Sequence, residues 1–355
     1  MRTQDMENAR LYLKPNQCLK SMNNIGTSNR PDTPAMTIAE DLKLSPNQTT
    51  LARAIGCAGV ALHSGHKVAL RLCPAPAGSG ILFKRTDLAG IPEIKASWNN
   101  VVDTRMCTTL GNGEGVIVST VEHLMAALSG AHVDNVVVEL DGPEVPVMDG
   151  SAQPFIFLIE SAGVEELNAP REVIEILKPV RVEVDDKVAE LLPNRGFSVG
   201  FEIEFDDDSV AYQEISVPLI NGSFKKEIAR ARTFGFVHEV EALRAAGLGL
   251  GGSLDNAVIV DGDKILNEGG LRFTDEFVRH KVLDAVGDLY LCGAPIRGHY
   301  RGFKAGHHLT NEVLKALFAD MSAWRRVALT EADVDLSEGR TPLAAETTQP
   351  MAVDS

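Results

Sequence analysis

The order of predicted elements points to an α+β protein of two domains. Three observations carry this. The chain has 355 residues, enough for two domains of ordinary size. A polar stretch over 165–171 separates two segments. The second segment opens with strand-like runs and closes with helical ones, the order that puts helices on one face of a sheet. The expected layout is an extension over 1–48, domains over 49–168 and 169–332, and a polar tail over 333–355.

Composition narrows the class. Hydrophobic residues make up 44%, and no apolar run is long enough to cross a membrane. Nothing resembles a secretory signal, so a cytoplasmic protein is expected. The five cysteines are scattered without a C-x-x-C pair, which argues against a disulfide framework and a thiolate zinc site. A net charge of −15 disfavours nucleic acid, while local Lys and Arg can still hold an anionic small substrate.

Residues 1–48 mix charge with Asn, Thr, Pro and Ser, show no period and are expected to be disordered, with Met36 a candidate start. Residues 51–72 read as two strands turned at Ser64-Gly65. Short strands are expected over 81–83, 93–96 and 108–110. Next come a strand over 116–118, a helix capped by Ser119 or Thr120 and stopped by Gly130, and a strand over 136–140. A Pro- and Gly-punctuated turn leads into a helix over 154–162. Strands over 173–184, 187–192, 197–205 and 213–217 follow, with a polar loop over 206–209. The segment 231–273 holds a helix over 239–246, the run G-L-G-L-G-G-S, a strand over 256–260 and a turn at Asp261-Gly262. The glycine run is not a phosphate loop, which needs a strand before it and a helix after it; it reads as a flexible flap or groove wall. Residues 274–293 form one helix capped by Thr274, and a last amphipathic helix starts at His307.

The helix over 274–293 carries the chemistry. Val278, Val282, Leu283, Ala285, Val286, Leu289 and Tyr290 make a broad apolar face. His280, Asp284 and Asp288 line a separate stripe, one turn apart, with Lys281 at its edge. The stripe suits a solvated face; it also suits His280 and Asp284 as i, i+4 metal ligands, with Asp288 orienting a group beyond the metal. Ser119-x-x-Glu122 matches a capping box, yet Glu122 and His123 stand together at a helix start after a strand, where ligands gather. His307 opens a third helix. His66, His132, His238, His299 and His308 have no constellation around them. Two His and one carboxylate form a standard three-ligand set for catalytic zinc, and a neighbouring carboxylate can take the proton of water. The H-E-x-x-H motif and the deaminase pattern are absent, so the residues alone leave zinc hydrolase, solvated face and helix cap open.

Five motifs go further: S-T-V-E-H-L-M-A-A-L-S-G, E-V-P-V-M-D-G-S-A, A-R-T-F-G-F, D-E-F-V-R-H-K-V-L-D-A-V-G-D-L and the G-H-x-L-T-N around His307. Together, and in the family's order over about 50–328, they resemble the UDP-3-O-acyl-N-acetylglucosamine deacetylases, zinc amidases of lipid A synthesis in Gram-negative bacteria. The resemblance implies two similar domains, each a sheet with helices on one face, packed as a β-α-α-β sandwich with the active site between them. It implies His123, His280 and Asp284 as zinc ligands, Glu122 as base, His307 as acid and Asp288 as its orienter. Thr233 matches an oxyanion donor and Lys281 a positive group near the oxyanion or diphosphate. His63, Phe234 and Lys281 fall at substrate-binding positions, and 234–273 matches an insert that holds the acyl chain. The implied partner is UDP-3-O-acyl-N-acetylglucosamine, with no nucleic acid, no stable membrane insertion and a monomeric chain. Iron in place of zinc suits the same donors. Two other readings stay open: a zinc amidase on another nucleotide sugar, and a metal-free UDP-sugar or lipid binder on the same fold.

Overall fold

Alternating apolar residues in the first half close into a five-stranded sheet. Ile55–Val60 and Lys67–Pro74 form the expected hairpin, and Gly65 supplies the left-handed φ of 70° in its turn. Val68, Leu70 and Leu72 alternate into the core. Lys67–Pro74 pairs with Val136–Leu140, which runs parallel to Ile81–Arg85, and Glu93–Lys95 closes the edge. A parallel pair needs a crossover. Here the crossover contains a small sheet (Val101–Asp103, Thr109–Gly111, Ile117–Val118) and helix α1 (Glu122–Gly130). Helix α2 (Gln153–Ala162) packs against Ile55–Val60. This architecture comes from a computed structural model describing residues 44–337 except 206–209, 211 and 221. Most of the extension, the end of the tail and the loop over 206–209 lie outside the described residues.

Two polar stretches turn out to be strands. Asn47–Leu51 begins within the stretch expected to be disordered, and it pairs with Val164–Pro170, which covers most of the polar stretch at 165–171. The polarity of Asn47–Leu51 is satisfied rather than solvated: the Thr49 amide donates to Asp134 at 2.7 Å and Thr50 Oγ1 donates to the Asn135 carbonyl at 2.7 Å. Arg171, 1% exposed, ties the halves together by donating to Asp134 at 2.7 Å and to the Ser45 carbonyl at 2.9 Å.

The second half builds a seven-stranded sheet around Ile296–Phe303, which pairs with Lys187–Leu192, Phe197–Glu204 and Glu172–Ile176. The run predicted over 173–184 is two strands, Glu172–Ile176 and Val180–Val184, interrupted around Pro179, which has no amide to donate. A three-stranded sheet (Phe234–Phe236, Val258–Asp261, Lys264–Ile265) carries helix α3 (Val237–Ala245). Three helices complete the described chain: α4 (Glu276–Tyr290), α5 (His307–Ala319) and α6 (Glu331–Ser337). Helix α6 occupies the start of the expected polar tail, because Val334 packs on Val173 and Leu329.

Helix α4 starts one residue later than predicted, without a Thr274 cap. Asp275 stands at the N-cap but binds Arg279 Nε at 2.6 Å instead of an amide. Helices α1 and α4 pack backbone to backbone at Gly287, where a Cβ would lie 2.0 Å from the Glu122 carbonyl oxygen. Helices α4 and α5 pack on the seven-stranded sheet. The layer order is therefore sheet, helices, helices, sheet, as the resemblance implies.

Candidate metal and active site

The stripe on α4 is not a solvated face. His280, Asp284 and Asp288 are 3%, 6% and 3% exposed, because α4 lies between α1 and the second sheet. The capping box also fails to form. No side chain caps α1, and Ser119 Oγ accepts from Thr109 Oγ1 at 3.0 Å. The Val121 amide is satisfied by the Thr108 carbonyl at 3.3 Å, and Glu122 Oε2 accepts the Thr108 N–H at 3.0 Å. Glu122 is thereby free of capping duty and points with His123 toward α4.

His123, His280 and Asp284 converge, with one candidate ligand atom from each within 4.8 Å of the others. His280 Nδ1 donates to the Ala231 carbonyl at 3.1 Å, which leaves Nε2 as a lone pair facing Asp284 Oδ1 at 3.3 Å. His123 Nε2 faces the same oxygen at 3.6 Å. Burial brings the His280 imidazole down to about 4, keeping it neutral. Asp284 is ionised despite its burial, held well below the carboxylate range by the positive charge of Lys281. Lone pairs turned on one another in a buried site fit a bound cation. Tetrahedral zinc with bonds near 2.0–2.1 Å spaces its ligands by about 3.3 Å, which matches these separations. The three residues fit a divalent metal.

Around this cluster lie groups that can move protons. Burial raises the Glu122 carboxyl above its usual range, opposed by His307 and His123. For His307 burial works against the charge, but Asp288, Glu122 and Asp284 outweigh it and bring the imidazole up to about 9. His307 Nδ1 donates to Asp288 Oδ2 at 2.8 Å. Lys281 Nζ lies 2.6 Å from Asp284 Oδ2, so it grips the outer oxygen of a candidate ligand. His63 sits on the hairpin turn, near enough to His307 to feel its charge, and burial lowers its imidazole. The Phe234 and His280 rings lie nearly perpendicular, with their centroids 6.3 Å apart. Thr233 is held beside Phe234 by its amide, which donates to the Gly150 carbonyl at 2.8 Å. The glycine run behaves as a wall and not a free flap: the Leu250 and Gly251 amides donate to the carbonyls of His63 and Leu62 at 3.1 and 3.0 Å.

Three residues escaped the sequence reading. Thr108 holds Glu122 and also donates its hydroxyl to Asp288 Oδ1 at 2.5 Å. Glu144 accepts the amides of His63 and Ser64 at 2.7 and 2.9 Å and so fixes the His63 turn. Arg232 grips Glu276 at the start of α4 at 2.8 Å, next to the Ala231 carbonyl that orients His280. Of these only Arg232 had a visible cue, in the A-R-T-F-G-F motif; the others depend on contacts distant in sequence.

Fold and geometry define a class: a hydrolase in which residues able to hold a divalent metal, with a buried carboxyl and a buried imidazole beside them, come from two α+β halves. The chain belongs to the LpxC family, UDP-3-O-acyl N-acetylglycosamine deacetylase, whose family model matches residues 48–319. It is 52% identical over 299 residues to a UDP-3-O-acyl-N-acetylglucosamine deacetylase of Acidithiobacillus ferrooxidans, covering 84% of this chain and 96% of the relative. A protein of the same name from Idiomarina loihiensis is 52% identical over 286 residues, 80% of this chain and 94% of that one. Another from a Shewanella species is 49% identical over 293 residues, covering 82% and 96%.

Proposed function

We propose that this protein is a zinc-dependent deacetylase that hydrolyses the 2-acetamido group of UDP-3-O-acyl-N-acetylglucosamine to acetate and a free amine, in lipid A biosynthesis. The observation that carries the reading is the buried His123, His280, Asp284 cluster with a carboxylate and a charged imidazole beside it. Zn2+, or Fe2+ at the same donors, supplies Lewis acidity toward the amide carbonyl and the attacking water when bound. Glu122 takes a proton from water as its oxygen adds to the carbonyl carbon; a carboxyl raised by burial is the better base for this. His307, kept cationic by Asp288, delivers a proton to the nitrogen as the C–N bond breaks, so acetate and amine leave in balance. The Thr233 hydroxyl supports the oxyanion, and Lys281 holds Asp284 ionised while adding positive charge on that side. Phe234 and His63 wall the sugar site, and residues 234–273 wall the acyl chain.

We take 49–168 and 169–332 as the two domains, so that His123 comes from one and His280 and Asp284 from the other. The protein is read as a cytoplasmic monomer. No helix among the described residues is long and apolar enough to cross a membrane. The test compares deacetylation of acylated and non-acylated UDP-N-acetylglucosamine with and without a chelator. Turnover of the acylated substrate that the chelator abolishes is the expected result. Equal rates on both substrates would move the reading to another amidase, and binding without turnover or metal would make the chain a binder.

A further inference from the structure

We propose that Thr108 is a positioning residue that sets the proposed base and the orienter of the proposed acid relative to each other; the inference rests on the roles assigned above to Glu122, Asp288 and His307. Thr108 is 2% exposed, and each of its polar groups has a partner. Its N–H donates to Glu122 Oε2 at 3.0 Å, its carbonyl accepts the Val121 amide at 3.3 Å, and its hydroxyl donates to Asp288 Oδ1 at 2.5 Å. The other Asp288 oxygen accepts His307 Nδ1 at 2.8 Å. One residue thus clamps a carboxylate on α1 and a carboxylate on α4, on opposite sides of the helix interface. The clamp is also selective. It occupies Oε2 of Glu122, while no hydrogen bond among the described residues engages Oε1, the oxygen left to take a proton. On Asp288 it occupies the oxygen that His307 does not use, so the carboxylate cannot rotate away from the imidazole without losing a buried, charge-assisted bond.

The hydroxyl is the element at stake, because the Thr108 N–H stays with the backbone in any variant but proline. The experiment measures kcat, KM, metal content and thermal midpoint for T108V, T108A and T108S of the full chain, with E122A and H307A alongside. T108V keeps the branched shape and loses the hydroxyl; T108A loses both; T108S keeps the hydroxyl alone. The expected result is a kcat roughly tenfold or more lower in both T108V and T108A, as for a lost hydrogen bond to a charged group, with KM and metal content unchanged. T108S should recover the wild-type kcat. Wild-type kcat in T108A or T108V, a loss confined to KM, or a T108S that falls with T108A would overturn the proposal. If T108V does not fold, T108A against T108S decides it alone. Full turnover in E122A and H307A would bring down the mechanism beneath the proposal, whereas inactive E122A and H307A beside an unaffected T108A would remove Thr108 only.

Discussion

Replacing Asp288 by Asn tests the charge on His307 most directly. The substitution keeps the shape of the side chain and an oxygen that can accept from the imidazole, and removes the negative charge. His307 stands at about 9 against an ordinary 6.5, a preference for the cation of about 3 kcal/mol. Burial of the ring pulls the other way, so D288N should bring the imidazole near or below 6.5, with only Glu122 and Asp284 left to favour the charge. At pH 8 the protonated fraction then falls from about nine-tenths to a few hundredths, and turnover should fall by at least about tenfold. The assay is kcat/KM across pH 6 to 10. The basic limb should move from near 9 in the wild type to near or below 6.5 in D288N; charge at the ligand cluster moves both proteins the same way, so the difference is what is read. Stability should follow. His307 is raised on folding, so its contribution is complete below pH 6.5 and is lost as the pH climbs through 9. The stability gap between wild type and D288N, measured by urea titration, should narrow over that window. A basic limb that stays in place would refute the assignment of His307 as the acid.

Two further outcomes are expected. E122Q keeps the oxygen that meets the Thr108 amide and removes the base, so turnover should drop about 10²- to 10⁴-fold with metal content unchanged; a variant that loses metal or unfolds instead would return Glu122 to a structural role. G287A would set a Cβ 2.0 Å from the Glu122 carbonyl oxygen and 2.8 Å from its carbon, and backbone cannot yield as a flexible side chain does. It should lose about 1–3 kcal/mol in urea denaturation and also lower metal content, and wild-type values for both would show that the helices do not depend on this contact.

The parts of the fold legible in the sequence are those in which one face is apolar. The hairpin strand Lys67–Pro74, the strand Val136–Leu140 and the faces of α2 and α4 follow directly from period. Asn47–Leu51 and Val164–Pro170 are illegible, because the first buries two threonines, the second has no buried face, and the two lie over a hundred positions apart. The site divides similarly. The His280, Asp284 and Asp288 stripe could be read from helical spacing, but its burial could not, because that depends on α1 being packed against it. Glu122 matched a capping box in the local text, and only the contact with Thr108 releases it from that role. The link from Thr108 to Asp288 spans 180 positions and leaves no local pattern.

Metal geometry and helix packing in this protein are one problem. Gly287 lies three residues after Asp284 and one before Asp288, and it meets the backbone of Glu122, the neighbour of His123. The close approach of the two helices therefore falls within one turn of Asp284, His123 and Glu122, and about two turns from His280. It brings His123 from one half to 3.6 Å from an Asp284 oxygen of the other, near the edge length of a tetrahedral site. A side chain at 287 would push α1 off α4 at the point where the proposed ligands of the two halves converge. The broad apolar face of α4 can hold the helices together, but it cannot by itself set their separation. The glycine does that, and a buried polar stripe becomes tolerable on a core helix because its charges meet partners from both halves at bonding distance.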